Sequence, residues 1–83
     1  MKNYIPENIK VLRKHYGHTQ HTLADKLGLK KSSIGSYEEG RATPDVFLLY
    51  KICKVFNITL DQMVTEEYYI TDGFKLFSRK HEK

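Results

Sequence analysis

The sequence predicts an all-α fold of five short helices followed by a small C-terminal β-hairpin. Three observations point there. Apolar residues recur at helical spacing through residues 1–64. Capping and left-handed residues (Thr19, Gly28, Gly40, Asp45, Asn57 and Thr59) punctuate that stretch between the apolar runs. From Tyr68 onward the pattern changes to two aromatic-rich runs flanking Asp72-Gly73.

Each element has its own local reason. Ile5, Ile9, Leu12 and Tyr16 step along one face of a first helix, with Pro6 in its first turn and Gly17 after its end. Thr19 offers an oxygen to cap a second helix, whose apolar face is Leu23, Ala24 and Leu27 and whose end is Gly28. That helix is so short that packing, not propensity, has to hold it. A third runs from about Lys31 to Glu39, with Ile34 as its core residue, Tyr37 half-buried and Gly40 at its end. Asp45 caps a fourth that is apolar almost all round: Val46, Leu49, Cys53 and Phe56 form one stripe, with Leu48, Ile52 and Val55 beside it. Asn57 suits the left-handed stop. Thr59 and Gln62 form a capping box for a fifth helix that turns Leu60 and Met63 inward. Asp72-Gly73 suits a two-residue type I′ turn, which sets Thr71 opposite Phe74 and Tyr69 opposite Leu76, with Tyr68 and Phe77 paired on the other face. Ser78 to Lys83 is polar and expected to fray.

Composition narrows the function. The chain has 83 residues, of which 40% are apolar and 29% charged. A domain of this length buries only about 60% of its unfolded surface, too little to house a buried multi-residue catalytic centre. No apolar run approaches the roughly 20 residues that span a bilayer, and no signal peptide is visible, so the cytoplasm is the expected compartment. The single cysteine, Cys53, excludes an internal disulfide and falls on the apolar stripe of the fourth helix, as a small core residue would. His15, His18 and His21 are interrupted by Gly17, so no converging metal site is expected, with His21 exposed and His18 half-buried. There is no Gly-rich phosphate loop and no nucleophile arrangement, hence no enzyme, cofactor or small-molecule substrate is expected. The net charge of +4 lies wholly in residues 1–64, where ten Lys and Arg face six Asp and Glu; the remainder holds four of each. A basic domain of this kind permits a nucleic-acid partner.

The block Thr19-Gln20, Leu23-Ala24, Leu27-Gly28, Ser33-Ile34, Tyr37-Glu38 and Gly40 is two short helices joined by a tight Gly-containing turn. With Asn8 to Arg13, Glu39, Pro44 and Leu49 to Asp61, it resembles the lambda-repressor-like (Cro type, XRE) helix-turn-helix family over Glu7 to Val64. The resemblance implies that residues 1–64 are a DNA-binding domain whose third helix enters the major groove of double-stranded DNA. Carried over by position, it places Lys31, Ser32 and Ser36 at base edges, with Gly35 on the same outer face. Lys favours guanine, whereas Ser discriminates poorly. It places Gln20 on a phosphate while bracing the third helix, with Lys30, Ser33, Arg41 and Thr43 as further phosphate contacts. It makes Arg13 and Glu38 a structural ion pair between the first and third helices. Three positions depart from the family pattern. Lys30 stands where a Ser or Thr cap is common, Gly35 weakens the helix by about 1 kcal/mol relative to Ala, and Glu39 brings a negative charge near the phosphates.

Phe47, Tyr50, Tyr68, Tyr69, Phe74 and Phe77 offer more aromatic surface than one small core absorbs. Either the hairpin folds back over the fourth helix within one chain, or these residues form a dimer interface. The family's use of paired half-sites about 34 Å apart favours the dimer, with residues 65–83 as a dimerising extension. The resulting expectation is a cytoplasmic homodimeric repressor that excludes polymerase from an operator. An antitoxin and a protein adaptor that no longer reads DNA are the alternatives.

Overall fold

In a computed structural model, which describes residues 2–80, five helices precede a two-stranded antiparallel sheet. The helices are α1 (Ile5–His15), α2 (Gln20–Leu27), α3 (Lys31–Glu38), α4 (Val46–Phe56) and α5 (Leu60–Thr65), and the strands are β1 (Glu66–Ile70) and β2 (Leu76–Lys80).

The short-range signals act where the sequence places them. The Thr19 hydroxyl accepts from the Thr22 amide at 3.0 Å, and the Thr22 hydroxyl accepts from the Thr19 amide at 2.9 Å. Asp45 accepts from the Leu48 amide at 2.9 Å. Thr59 and Gln62 exchange the two bonds of a capping box. Gly28 and Asn57 take the left-handed conformation, at φ +71° and +56°. These ends orient the faces that form one core: Ile9 and Leu12 from α1, Leu23 and Ala24 from α2, Ile34 from α3, Ile52, Cys53 and Phe56 from α4, and Met63 from α5. Tyr16 continues the α1 stripe but stays half in solvent, stacked on Phe56 with ring centroids 5.8 Å apart.

The C-terminal region departs from expectation in two ways. First, the loop holds three residues, not two. The Thr71 amide donates to the Lys75 carbonyl and the Phe74 amide to the Thr71 carbonyl, both at 3.0 Å. Gly73 lies at φ +84° and Phe74 at φ +63°. The register therefore slips by one: Ile70 faces Leu76, Tyr69 faces Phe77 and Tyr68 faces Ser78. A one-residue slip exchanges the two faces of β2. The two-residue turn would have turned Lys75 inward opposite Ile70, whereas the observed register puts Leu76 there, packed against the core. Keeping that ammonium in water offsets the cost, of order 1–2 kcal/mol, of a left-handed Phe74. Second, Ser78, Arg79 and Lys80 complete β2 and are not frayed. The Ser78 hydroxyl donates to Glu66 at 2.6 Å, and Arg79 lies 3.8 Å from Glu67 and over the Tyr69 ring. The remainder of the expected frayed end, His81 to Lys83, lies outside the described residues. The hairpin packs chiefly on α1 and α5 instead of folding back over α4, the alternative to a dimer interface.

Asn8 explains that placement. It is fully buried, and its side-chain nitrogen donates to the carbonyls of Met63 (2.9 Å) and Glu66 (2.7 Å). Its side-chain oxygen accepts from the Tyr68 amide at 2.9 Å. One side chain thus satisfies three backbone groups at the α5–β1 junction and fixes β1 along α1. Replacing Asn8 with Leu leaves those groups buried without partners, at about 1–3 kcal/mol for each unmet group. Asn8→Leu is expected to lower the thermal midpoint by more than 10 °C, since 1 kcal/mol moves a domain of this size by roughly 4–8 °C. Amide exchange at Tyr68 should accelerate with it. An unchanged midpoint would remove Asn8 from this role.

Burial pushes the Cys53 thiol up from 9.0 to about 11. Burial, reinforced by the Glu66 charge, pushes the Tyr68 phenol up from 10.0 to about 12. The folded chain holds both protons more tightly than the unfolded chain, so this stability is complete below pH 9 and is lost as pH rises. Unfolding free energy measured by denaturant titration is expected to fall steadily between pH 9 and pH 11, with a shallower fall in Cys53→Ala.

Candidate nucleic-acid interface

The turn between α2 and α3 is a doubly bonded helix end. The Leu29 amide donates to the Ala24 carbonyl at 2.8 Å, and the Gly28 amide to the Asp25 carbonyl at 3.2 Å, around left-handed Gly28. Ala24 is buried where the two helices meet, and Ile34 pins α3 to the core. Lys30 occupies the N-cap position of α3 without a side-chain cap bond.

A polar cluster fixes α3 from behind. The Arg13 guanidinium donates to Glu38 twice, from Nε at 2.6 Å and from Nη2 at 3.1 Å. A third bond runs from Arg13 Nη1 to the His18 carbonyl at 2.9 Å. Gln20 Nε2 reaches across from α2 and donates to Glu38 Oε1 at 3.1 Å. The Glu38 side chain is 3% exposed, so the pair is desolvated and well satisfied by hydrogen bonds.

Gly35 belongs with this cluster, which corrects its expected place on the outer face. It is buried, and a Cβ built there meets the Gln20 side chain at 3.6–3.9 Å. Gln20 therefore lies across Gly35, which faces the α2–α3 contact instead of baring the outer surface, and a Cβ there would make only ordinary van der Waals contact with Gln20.

The outer surface is basic and polar. Lys31 and Ser32 are exposed at the first turn of α3. Ser36 is half-buried and accepts from Arg41 Nη2 at 3.4 Å. Lys30, Arg41 and Thr43 are exposed around it, while Ser33 and Gln20 are half-buried. Glu39 lies 3.5 Å from Arg41, which offsets its negative charge. The eight positions named from the resemblance thus fall on α3, at its N-cap, on the start of α2 and in the loop after α3.

The other candidates fall elsewhere. Phe47 is 79% exposed on α4, beside Tyr50, over whose ring Lys54 sits at 5.8 Å. Phe74 is exposed at the hairpin tip. Tyr69 and Phe77 stack on the outer face of the sheet, 5.9 Å apart. Tyr68 is turned the other way and is buried in its own chain's core. His18 faces the Thr22 hydroxyl at 3.1 Å and exposed His21 faces Asp25 at 3.3 Å. Among the described residues no three His, Cys, Asp or Glu side chains gather as a metal site, and no helix is long and apolar enough to cross a membrane. Sequence reasoning missed Asn8, the Gln20–Glu38 bond and the His18 carbonyl. Only Asn8 had a local signal, a polar residue flush with the apolar stripe of α1.

Residues 9–63 match a family described as helix-turn-helix. An uncharacterized HTH-type transcriptional regulator of Archaeoglobus fulgidus is 35% identical over 71 residues, covering 86% of this chain and 94% of that protein. The uncharacterized HTH-type transcriptional regulator YqaE of Bacillus subtilis is 36% identical over 61 residues, 74% of this chain and 53% of YqaE. Antitoxin PezA of Streptococcus pneumoniae is 35% identical over 63 residues, 76% of this chain and 40% of PezA. The chain thus spans nearly all of the first relative and about half or less of the other two. No solved structure gives a significant match.

Glu38→Ala removes the acceptor of three side-chain bonds and leaves Arg13 as an uncompensated buried cation. A loss of about 3–5 kcal/mol is expected in urea unfolding, against well under 1 kcal/mol for breaking an exposed pair such as Arg41–Glu39. Equal effects of the two would show the buried pair to be structurally idle.

Proposed function

The chain belongs to the XRE-type helix-turn-helix family, and on that premise we propose that it is a sequence-specific DNA-binding transcriptional regulator acting as a homodimeric repressor. The observation that carries the reading is the outer surface of α3. Lys31, Ser32 and Ser36 stand there with Lys30 and Arg41 around them, while Arg13, Gln20 and Glu38 hold the helix from behind. In this reading Lys31, Ser32 and Ser36 meet base edges in the major groove. Gln20, Lys30, Ser33, Arg41 and Thr43 meet phosphates, and the free amides at the start of α2 add a favourable dipole. Gln20 keeps one amide proton for a phosphate beyond the one it gives to Glu38.

Residues 1–64 carry the DNA contact and residues 65–83 serve dimerisation. The exposed aromatic side chains Phe47, Tyr50, Phe74 and Phe77, with half-buried Tyr69, support a dimer, whereas Tyr68, expected at the same interface, is taken up by its own chain's core and drops out of it. The mechanism is steric, the dimer covering an operator in the cytoplasm without a cofactor. A second reading, an antitoxin that also binds a toxin, is supported by the similarity to PezA.

Selection from a randomised duplex pool at near-physiological salt tests the proposal, and enrichment of an inverted repeat is the expected result. Absence of enrichment with folded protein would sink the DNA reading in favour of a protein adaptor. Affinity for the selected site should fall as about −0.9 in log K per log salt for each neutralised phosphate, and Arg41→Ala should reduce that slope by about one contact. Ser36→Arg should change the enriched sequence while leaving the circular dichroism spectrum intact; an unchanged preference would take Ser36 out of the base-reading set.

A further inference from the structure

The sheet has two strands, so one long edge of β2 faces no strand. The phase of its backbone follows from the hairpin bonds. Thr71 and Lys75 are a hydrogen-bonded pair, which makes Tyr69–Phe77 and Glu67–Arg79 the next such pairs along the ladder. The residues between them direct their backbone groups outward. On β1 those outward groups include the Glu66 carbonyl and the Tyr68 amide, and Asn8 takes both. On β2 the outward groups of Leu76 and Ser78 take no partner among the described residues. One edge of this sheet is therefore capped by α1, and the other is open.

We propose that the open edge of β2 is the seam of the homodimer, two copies pairing β2 to β2 antiparallel about Ser78 into a continuous four-stranded sheet. The inference rests on the homodimer reading above and says which surface forms it. An isologous pairing must be centred on one point of the strand, which leaves few registers. Centred on Phe77, it sets Lys75 opposite Arg79 of the second copy, a like-charge clash. Centred on Ser78, it sets Leu76 opposite Lys80 and Phe77 opposite Arg79. The outward groups of Ser78 then meet their own symmetry mates, and like charges do not meet.

Side-chain chemistry matches along each row of the resulting sheet. On the outer face Tyr69 and Phe77 of one copy lead into Arg79 and Glu67 of the other. The Arg79 guanidinium already sits 4.6 Å from the Tyr69 ring centroid in its own chain, so an aromatic neighbour on its other side extends an existing contact. On the inner face Ile70 and Leu76 lead into Lys80 and Glu66. Lysine and arginine usually blunt an edge strand against pairing. Here the acidic residues Glu66 and Glu67 stand opposite Lys80 and Arg79 in the register of the hairpin, so the sheet brings no net charge to the seam through those four residues. Pairing also covers Phe77, which is 46% exposed in one chain. A two-stranded sheet is marginal alone, and four strands remove that weakness.

The test is the association state of the full chain by sedimentation equilibrium, with the 9.8 kDa protomer as reference. Ser78→Pro removes one outward N–H from each copy and no bond of the β1–β2 ladder. It is expected to weaken dimerisation roughly tenfold to hundredfold. Ser78→Ala loses the hydroxyl but keeps the N–H, and should remain dimeric. A folded Ser78→Pro chain that dimerises as tightly as wild type overturns the seam while leaving the homodimer reading standing. Dimerisation lost only in Phe47→Ala with Tyr50→Ala does the same and moves the interface to α4. A wild-type chain that stays monomeric both free and on DNA overturns both. If Ser78→Pro fails to fold, a nitroxide at Ser78→Cys decides. Paired labels sit on Cα atoms about 5.5 Å apart and broaden each other's spectrum strongly, and a dimer without that broadening overturns the seam. Cys53 is buried and stays unlabelled.

Discussion

The desolvated Arg13–Glu38 pair is the constraint on which the arrangement of the first three helices depends. A carboxylate at 3% exposure is tolerated only when its lone pairs are filled, and here Arg13 and Gln20 fill them from two different helices. The guanidinium in turn closes on the His18 carbonyl in the α1–α2 connection. Four segments therefore meet at one charge pair. Hydrophobic contacts through Ile34 and Ala24 hold α3 against the core but are non-directional; the forked bond fixes its rotation. Because Glu38 looks inward, the opposite side of α3 is left to Ser32 and Ser36, about 120° and 160° around the helix from it, with Lys31 exposed at the first turn. The proposed base-reading face is the complement of a buried ion pair.

A second polar device works on the far side of α1. Asn8 and Arg13 are five residues apart, which on an α-helix is about 140° of rotation. Arg13 faces α3, and Asn8 faces the α5–β1 junction. Thus α1 is the spine between two units, the helix-turn-helix on one flank and the hairpin on the other. This geometry separates the two roles proposed for the chain. In the proposed dimer a partner strand docking on β2 approaches from the flank that α3 does not occupy, which leaves α3 of both copies open.

Burial also decides which reactive groups are inert. Cys53 is enclosed, and its thiol is pushed up to about 11, so it packs as a small apolar residue and stays protonated at neutral pH. Tyr68 carries the same lesson within the hairpin. The strand alternates, so Tyr68 fills the core while Tyr69 next to it stacks outward on Phe77. Of two adjacent tyrosines, only one adds to the aromatic surface available to a partner.

The sequence by itself determined the helices, their ends and most of the core. Those features are set by interactions spanning three or four residues, such as Thr59 with Gln62 or the φ +71° of Gly28, and by the apolar period. It also placed the Arg13–Glu38 pair and the candidate contact residues through resemblance to a family, and the structure sets those residues together around α3. Tertiary structure alone decided the partners of Asn8, which lie 55 to 60 residues away. It also decided the position of Gly35 beneath Gln20 and the hairpin register. Asp72-Gly73 favours a two-residue turn locally, yet the register that packs half-buried Leu76 against the core and keeps Lys75 in water requires three. Local turn preference is worth about a kilocalorie, and the desolvation of one misplaced ammonium exceeds it. No short-range signal in the chain reports which face of β2 meets the core.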